Sequence, residues 1–253
     1  MNQFLQATLY GLLQGGLLAL VAVGFSLVWG VMNVVNLAHG AFVLGGAYLA
    51  FELNSWLGLD PFVGMLPAAV VLFGVGYVLQ RFLVNLVVNA PIFITLLLTF
   101  GLQLLAVNGM ILLFTANYRS IPTGYAGDPL PLPGDVRVPA GRLIAALLAV
   151  GITIGLGYVM RRTRIGLSIL ATGMDRGAAR LMGIKAAHVY ALTFGIAAGL
   201  AGAAGAATGA VTTFRLLPGT LVNALAFAVL VIVLAARPQG LAGRAFYAAR
   251  VEV

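Results

Sequence analysis

Charged residues are scarce in this sequence and cysteine is missing altogether. Only 8% of the 253 residues are Asp, Glu, Lys or Arg, and 62% are hydrophobic, whereas soluble domains carry roughly one-quarter charged residues. This composition argues against a soluble enzyme and against a disordered, collagen-like or coiled-coil chain. The absence of cysteine excludes disulfides, thiolate metal sites and a cysteine nucleophile.

The hydrophobic residues fall in long runs without charge. Residues 1–51 contain no Asp, Glu, Lys or Arg, and one helix of that length would far exceed a bilayer core of about 30 Å. The stretch must therefore fold back, and polar residues 33–40 mark the break. We predict a first membrane span at about Thr8–Met32 and a second at about Leu37–Leu53.

The same analysis continues along the chain and predicts an all-α polytopic membrane protein with about seven transmembrane helices. Part of residues 82–91, between the third and fourth spans, is either a loop or re-entrant. The remaining five spans are expected at about Pro61–Arg81, Ile92–Thr115, Arg142–Met160, Val189–Val211 and Thr220–Ala236.

Two loops set the expected orientation. Residues 116–141 are rich in Pro and Gly and nearly neutral, whereas residues 161–188 carry five arginines and Lys185 against the single acid Asp175. The positive-inside rule places the basic loop in the cytoplasm, so the neutral loop is external. Seven spans then predict an external N-terminus and a cytoplasmic C-terminus. The chain starts without a basic leader, so a cleaved signal peptide is not expected.

Ionisable residues within the predicted spans are too few for most membrane chemistry. Intramembrane catalysis and ion coupling depend on buried acids or metal ligands, and here His39 and Glu52 near the second span and His188 before the sixth stand apart from one another. We therefore expect no catalytic residues, no metal site and no enzyme. Two interpretations of His39 stay open: it is a hydrogen-bonding residue at a helix break, or it lines a pathway.

Small and uncharged polar residues populate the spans instead. Small residues on one helix face allow close packing in lipid, which favours packing within the chain, with dimerisation as the alternative. Uncharged polar side chains either bond helix to helix or line a path for a small polar solute. The small residues are Gly195, Gly199, Gly202, Ala206 and Gly209 in the sixth span, with GxxxG pairs at Gly11/Gly15 and Gly151/Gly155.

The cytoplasmic loop contains a short capped helix. Asp175 is suited to cap a helix over Arg176–Met182, and Gly183 to end it. Ala178, Ala179 and Met182 are expected to share one small apolar face. Such a helix either lies on anionic lipid or docks a cytoplasmic subunit.

Several motifs together resemble one family. The loop resembles the coupling loop of ABC importer permeases, and the whole chain resembles branched-chain amino acid permeases of the LivH type. The matching segments are GFSLVWGV at 24–31, VNLAHGA at 35–41, RTRIG at 162–166, AARLMGI at 178–184 and RPQGL at 237–241.

This resemblance implies a single permease domain over residues 1–253 in the bacterial inner membrane. It implies a translocation pathway for branched-chain or related small amino acids, a second permease subunit, two cytoplasmic ABC ATPases and a periplasmic binding protein. The chain has no P-loop, so it binds no cofactor and ATP is used by the partner ATPases. By the same resemblance, Asn36, His39 and Gly40 line the pathway, and the ATPase is contacted by Asp175, Arg176, Ala178, Ala179, Leu181, Met182, Gly183 and Ile184.

One region departs from the family pattern. Family members carry a further apolar region with a Gly-Gly-Leu-Gly run before the last helix, whereas here Pro218-Gly219 leads directly to residues 225–234. The C-terminal half is therefore shortened. Three alternatives stay open: an ion-independent secondary transporter or channel, a non-transporting assembly subunit, or a permease for urea or short amides.

Overall fold

The computed structural model describes residues 2–115, 117, 119–123, 129–132 and 136–212. These residues belong to one contact unit that ends at residue 215. The predicted seventh span and the Pro218-Gly219 segment lie outside the described residues, and the single-domain assignment stays a prediction.

The described chain is built almost entirely of helices, as the sequence predicts. A π-helical turn, Gln80–Val84, follows α3, and the order along the chain is α1 (Asn2–Met32), α2 (His39–Leu57), α3 (Pro61–Leu79), α4 (Asn85–Val87), α5 (Ile92–Phe114), α6 (Ala140–Arg162), α7 (Arg164–Met174), α8 (Arg176–Leu181) and α9 (Ala186–Val211).

Among the described residues, five helical segments are long and apolar enough to cross a membrane: Phe4–Met32, Pro61–Val87, Ile92–Phe114, Ala140–Arg162 and Ala186–Val211. They coincide with five of the predicted spans. The predicted second span is the helix α2, which is less apolar because its 19 residues include His39, Glu52 and Asn54.

Local sequence explains several helix boundaries. The carboxylate of Asp60 accepts a hydrogen bond from the Phe62 amide at 2.8 Å, and Pro61 occupies the first turn of α3, where its missing N–H costs nothing. At the other end, the π-helical turn and α4 extend this segment to Val87. Most of the segment 82–91, for which a loop and a re-entrant stretch were both open, is therefore a helical extension of the third span.

The predicted external loop contains a two-stranded antiparallel hairpin that the sequence analysis missed. Strands β1 (Pro129–Leu132) and β2 (Val136–Pro139) pair with Leu130 opposite Val138. The Pro-rich composition concealed these strands, because Pro depresses strand propensity and is tolerated mainly at edges. The acids Asp128 and Asp135 of this loop lie outside the described residues.

The helix α9 forms the centre of the bundle. Its apolar stretch is 89% buried, against 22–33% for the other four membrane-length helices, and α9 packs against α1, α2 and α3. Its glycines make this packing possible. Gly195 and Gly199 lie against Phe73 and Ala69 of α3, and Gly205 lies against the backbone carbonyl of Val43 in α2.

The small-residue face of α9 is thus used for packing within the chain, which confirms the favoured reading for this helix. The GxxxG pairs in α1 and α6 do not pack against a neighbouring helix in this way. A Cβ atom placed on Gly11, Gly15, Gly151 or Gly155 would meet no atom within 4 Å. These pairs face away from the rest of the described chain, so internal packing stays a prediction for them.

We expect Gly205→Ala to destabilise the bundle, because its Cβ would collide with the Val43 carbonyl of α2. The cost should be about 1–3 kcal/mol, as for other overpacked sites. The matched control Gly151→Ala adds the same methyl group into open space and should be neutral or stabilising by up to about 1 kcal/mol. Thermal unfolding in detergent measures both, and equal melting temperatures would contradict the packing assigned to α9.

Candidate functional site

The connection between α1 and α2 is a buried, irregular stretch of backbone. The helix α1 ends at Met32, and Asn33 adopts a left-handed conformation with φ 54°, which Asn tolerates better than most residues. The side chains that follow turn inward: Val34, Asn36 and Ala38 are at most 2% exposed. Buried irregular backbone is costly in a membrane unless protein surrounds it or it lines a cavity.

This break returns the chain deep into the bundle. His39, the first residue of α2, lies beside α1 at the level of Val21, because its Nε2 atom is 3.0 Å from the Val21 carbonyl oxygen. Val21 precedes the end of α1 by eleven residues, which corresponds to about 16 Å of helix. The N-terminus of α2 therefore lies well inside the bundle. Gly24 permits this approach, since a Cβ there would lie 3.0 Å from the imidazole and 3.1 Å from the Ala197 carbonyl.

A threonine of α5 holds the break in place. The Thr99 hydroxyl donates to the carbonyl oxygen of Val35 at 2.8 Å and accepts from the Leu37 amide at 3.3 Å. Thr99 is fully buried, and it pairs two backbone groups that no helix can pair. The sequence analysis did not assign it to the site. Its only sequence signal was a polar residue on an apolar span, which is typical of simple helix–helix bonding.

The predicted pathway residues come together at an open-sided cavity of about 400 Å³. Asn36, His39 and Gly40 all line it, next to Ser26 of α1. The rest of its wall is apolar and is formed by Leu18, Val21, Ala22, Phe25 and Leu37. The structure therefore groups the three residues in one place, while their role in transport stays a prediction.

Two buried polar atoms at this cavity have no hydrogen-bond partner among the described residues: Oδ1 of Asn36 and Nδ1 of His39. The side chains are only 2% and 4% exposed. Because the Val21 carbonyl can only accept, Nε2 of His39 must donate to it, and in a neutral ring Nδ1 is then an acceptor. Both unpaired atoms thus accept hydrogen bonds. Such atoms usually cost about 1–3 kcal/mol when left unpaired.

The N-terminus of α2 also lacks a cap. Its N-cap residue is Ala38, which makes no side-chain cap, and within the described part of the chain the His39 amide donates to the Asn36 carbonyl at 3.2 Å. Uncapped amides at a helix N-terminus carry partial positive charge and attract anionic groups. The cavity thus combines a helix N-terminus and the polar side chains of Ser26, Asn36 and His39 with an apolar wall.

The predicted short helix in the basic loop is present as α8. The Asp175 carboxylate caps it by accepting from the amides of Gly177 and Ala178 at 2.7 and 3.1 Å. Gly183 follows in the left-handed conformation with φ 81°. The Ile184 amide then closes the turn by donating to the Ala179 carbonyl oxygen at 3.0 Å. The capping and termination predicted from the sequence are confirmed.

The expected apolar face of α8 is wrong in one residue. Ala179 is only 4% exposed and packs into the bundle, whereas the neighbouring Ala178 is exposed. The reason is geometric, because consecutive residues of a helix point about 100° apart. The large apolar side chains that α8 exposes are Leu181 and Met182, at 90% and 82%, and Met174 precedes them at 84%.

These features define a class of protein: a polytopic membrane protein with a helix broken at depth beside a cavity, and a short capped helix in its basic loop. Comparison with known proteins identifies the family. Residues 7–248 match the family model of the branched-chain amino acid transport system permease component. The chain belongs to this family, whose members are transport permeases and not enzymes.

Individual relatives agree with this assignment. The high-affinity branched-chain amino acid transport system permease protein BraD of Pseudomonas aeruginosa is 28% identical over 212 residues, which cover 79% of this chain and 69% of BraD. The corresponding permease protein LivH of Escherichia coli K12 is 27% identical over 230 residues, or 81% of this chain and 70% of LivH. No solved structure gives a significant match.

We expect Thr99→Val, which preserves shape, to destabilise the break by about 1–3 kcal/mol because it leaves the Leu37 amide and Val35 carbonyl unpaired. The control is Thr153→Val, since the one bond of the Thr153 hydroxyl within the described residues is to Ala149 of its own helix. Thermal unfolding in detergent compares the two variants. A Thr99→Val protein as stable as Thr153→Val would show that the bridge does not hold the break.

Proposed function

We propose that this permease is the translocation subunit of an ATP-driven importer for branched-chain or related small amino acids, located in the bacterial inner membrane. The single observation that carries the proposal is the break between α1 and α2, which brings Asn36, His39 and Gly40 to one cavity at depth. Broken helices at depth are a recurrent means of binding polar solutes in transporters.

The chemistry of the cavity suits an aliphatic amino acid. The first-turn amides of α2 would attract the carboxylate. The unpaired acceptor atoms of Asn36 and His39 are shielded in this structure, and they would receive the ammonium protons once the two side chains shift toward the cavity that they line. The aliphatic side chain would lie against Leu18, Val21 and Phe25. None of these groups carries a full charge of its own, so binding is weak enough to permit release.

The open side of the cavity supports a second permease subunit. Leu18 and Phe25 of α1 line the open cavity and are 59% and 36% exposed, and one wall alone cannot enclose a solute. We propose that a homologous or identical permease supplies the other wall, and that a periplasmic binding protein delivers the amino acid from the external side. This arrangement assumes an external N-terminus and a cytoplasmic C-terminus.

The helix α8 suits the docking of two cytoplasmic ATPases, one on each permease. Leu181 and Met182 present large apolar surface, which is costly in water and typical of an interaction site. ATP-driven closure of the ATPases would shift α8 and rock the bundle between outward-open and inward-open states. ATP thus acts on the partners, and this chain binds no cofactor.

We expect Asn36→Leu to lower leucine uptake about tenfold, because it replaces the polar amide of the cavity wall with a larger apolar side chain of the same branching. The control is Asn108→Leu, since Asn108 is exposed and, in the part of the chain that the structure describes, its side chain bonds to Leu104 of its own helix alone. Uptake of radiolabelled leucine, corrected for the amount of protein in the membrane, measures both. Equal uptake by the two variants would argue against the proposed pathway.

We expect Leu181→Glu to abolish capture of the ATPase subunits when the tagged chain is purified in mild detergent, since a charge replaces a 90% exposed apolar contact. Leu57→Glu is the control, because Leu57 is 67% exposed at the opposite end of the bundle. Mass spectrometry identifies the captured proteins. A well-folded wild-type chain that is purified without an ATPase would favour the secondary transporter or the assembly subunit instead.

A further inference from the structure

Arg176 is the first residue of α8. Its side chain points toward the bundle, unlike the exposed side chains of the same helix. Its Nη2 atom donates a 2.8 Å hydrogen bond to the carbonyl oxygen of Met32, the last residue of α1. Its guanidinium also lies over the ring of Tyr190 in α9, 5.1 Å from the centroid. Arg176 therefore connects α8 to two helices of the bundle at once.

The contact with α1 is favourable for a specific reason. The last carbonyls of a helix have no partner within it and carry partial negative charge, and the last turn of α1 contains no basic residue of its own. Arg176, which is 144 positions further along the chain, places a positive charge at this helix end. Tyr190 is 3% exposed, so the cation–π contact lies in a shielded position where it is stronger than at a surface.

A second contact joins the same segments. Gly173, near the end of α7, lies so close to α1 that a Cβ on it would be 3.3 Å from the Gly30 carbonyl and 3.5 Å from Cα of Val31. The turn between α7 and α8 is thus seated on the end of α1 by Gly173 and bonded to it by Arg176. This end leads directly to Asn33 and the break that carries Asn36 and His39.

We propose that Arg176 is a positioning residue that transmits movement of α8 to the break between α1 and α2, and so links the ATPase side to the cavity. This inference rests on the proposed function. It also replaces the sequence-based expectation that Arg176 contacts the ATPase. A displacement of α8 would pull on the Met32 carbonyl through a bond that is both charged and shielded, and the residues after Met32 would follow.

The first experiment needs no partner protein. The chain has no cysteine, so Leu37→Cys places a single thiol on the cavity wall. In membrane vesicles, Arg176→Gln should speed its labelling by N-ethylmaleimide about tenfold, because losing a hydrogen bond from a charged group loosens the break by that factor. Arg176→Lys keeps a cation for the Met32 carbonyl and should stay within about threefold of the parent rate.

The control is Arg164→Gln, which removes one positive charge from an exposed position of the same loop and should leave the labelling rate unchanged. Equal rates for Arg176→Gln and Arg164→Gln would overturn the proposal, because they would show that Arg176 does not hold the break.

The second experiment tests the link in the assembled importer. Arg176→Gln should still capture the ATPases and hydrolyse ATP, yet take up about tenfold less radiolabelled leucine per ATP hydrolysed. A general loss of structure would reduce capture and hydrolysis as well. If Arg176→Gln loses the ATPases as Leu181→Glu does, Arg176 is a docking residue and the proposal is wrong.

The two experiments separate failure of this inference from failure of the proposed function. A wild-type chain that captures no ATPase would contradict the importer assignment. The labelling rates would still decide whether Arg176 holds the break, because they depend on this chain alone.

Discussion

The arrangement of the bundle depends on how the backbone amides and carbonyls between α1 and α2 find hydrogen-bond partners away from water. Residues 33–38 belong to neither helix, and in hydrocarbon each unpaired backbone amide or carbonyl is costly. The protein solves this problem by burying the break and bridging it with Thr99 of α5. The same break creates the cavity, since it is what allows α2 to start deep in the bundle with an uncapped N-terminus.

Burial of the break in turn depends on the glycine-rich helix α9. Its glycines let α2 and α3 approach to backbone contact, and Ala197 of α9 lies on Gly24 of α1 beside His39. Helix association in lipid has no hydrophobic drive and relies on such close packing. A helix with larger side chains at these positions would hold its neighbours apart and expose the break.

The basic loop that carries α8 is connected to this core and is not a separate module. The helix α8 and its C-cap expose Leu181 and Met182, while Ala179 and Arg176 of the helix turn inward. This short segment therefore presents an apolar surface away from the bundle and a charged contact to the end of α1. That division gives the proposed movement of α8 a physical route to the cavity.

The sequence alone determined the membrane class, the five membrane-length helices with α2 between the first two, and the ends of α8, because these follow from local hydropathy, charge and capping. It also grouped Asn36, His39 and Gly40 through a family motif. The tertiary structure decided what local patterns cannot encode: that Thr99 bridges the break, that Ala179 is buried and that Arg176 bonds to Met32. These contacts join residues 62 to 144 positions apart or depend on which helix face meets a neighbour, so only the packed bundle determines them.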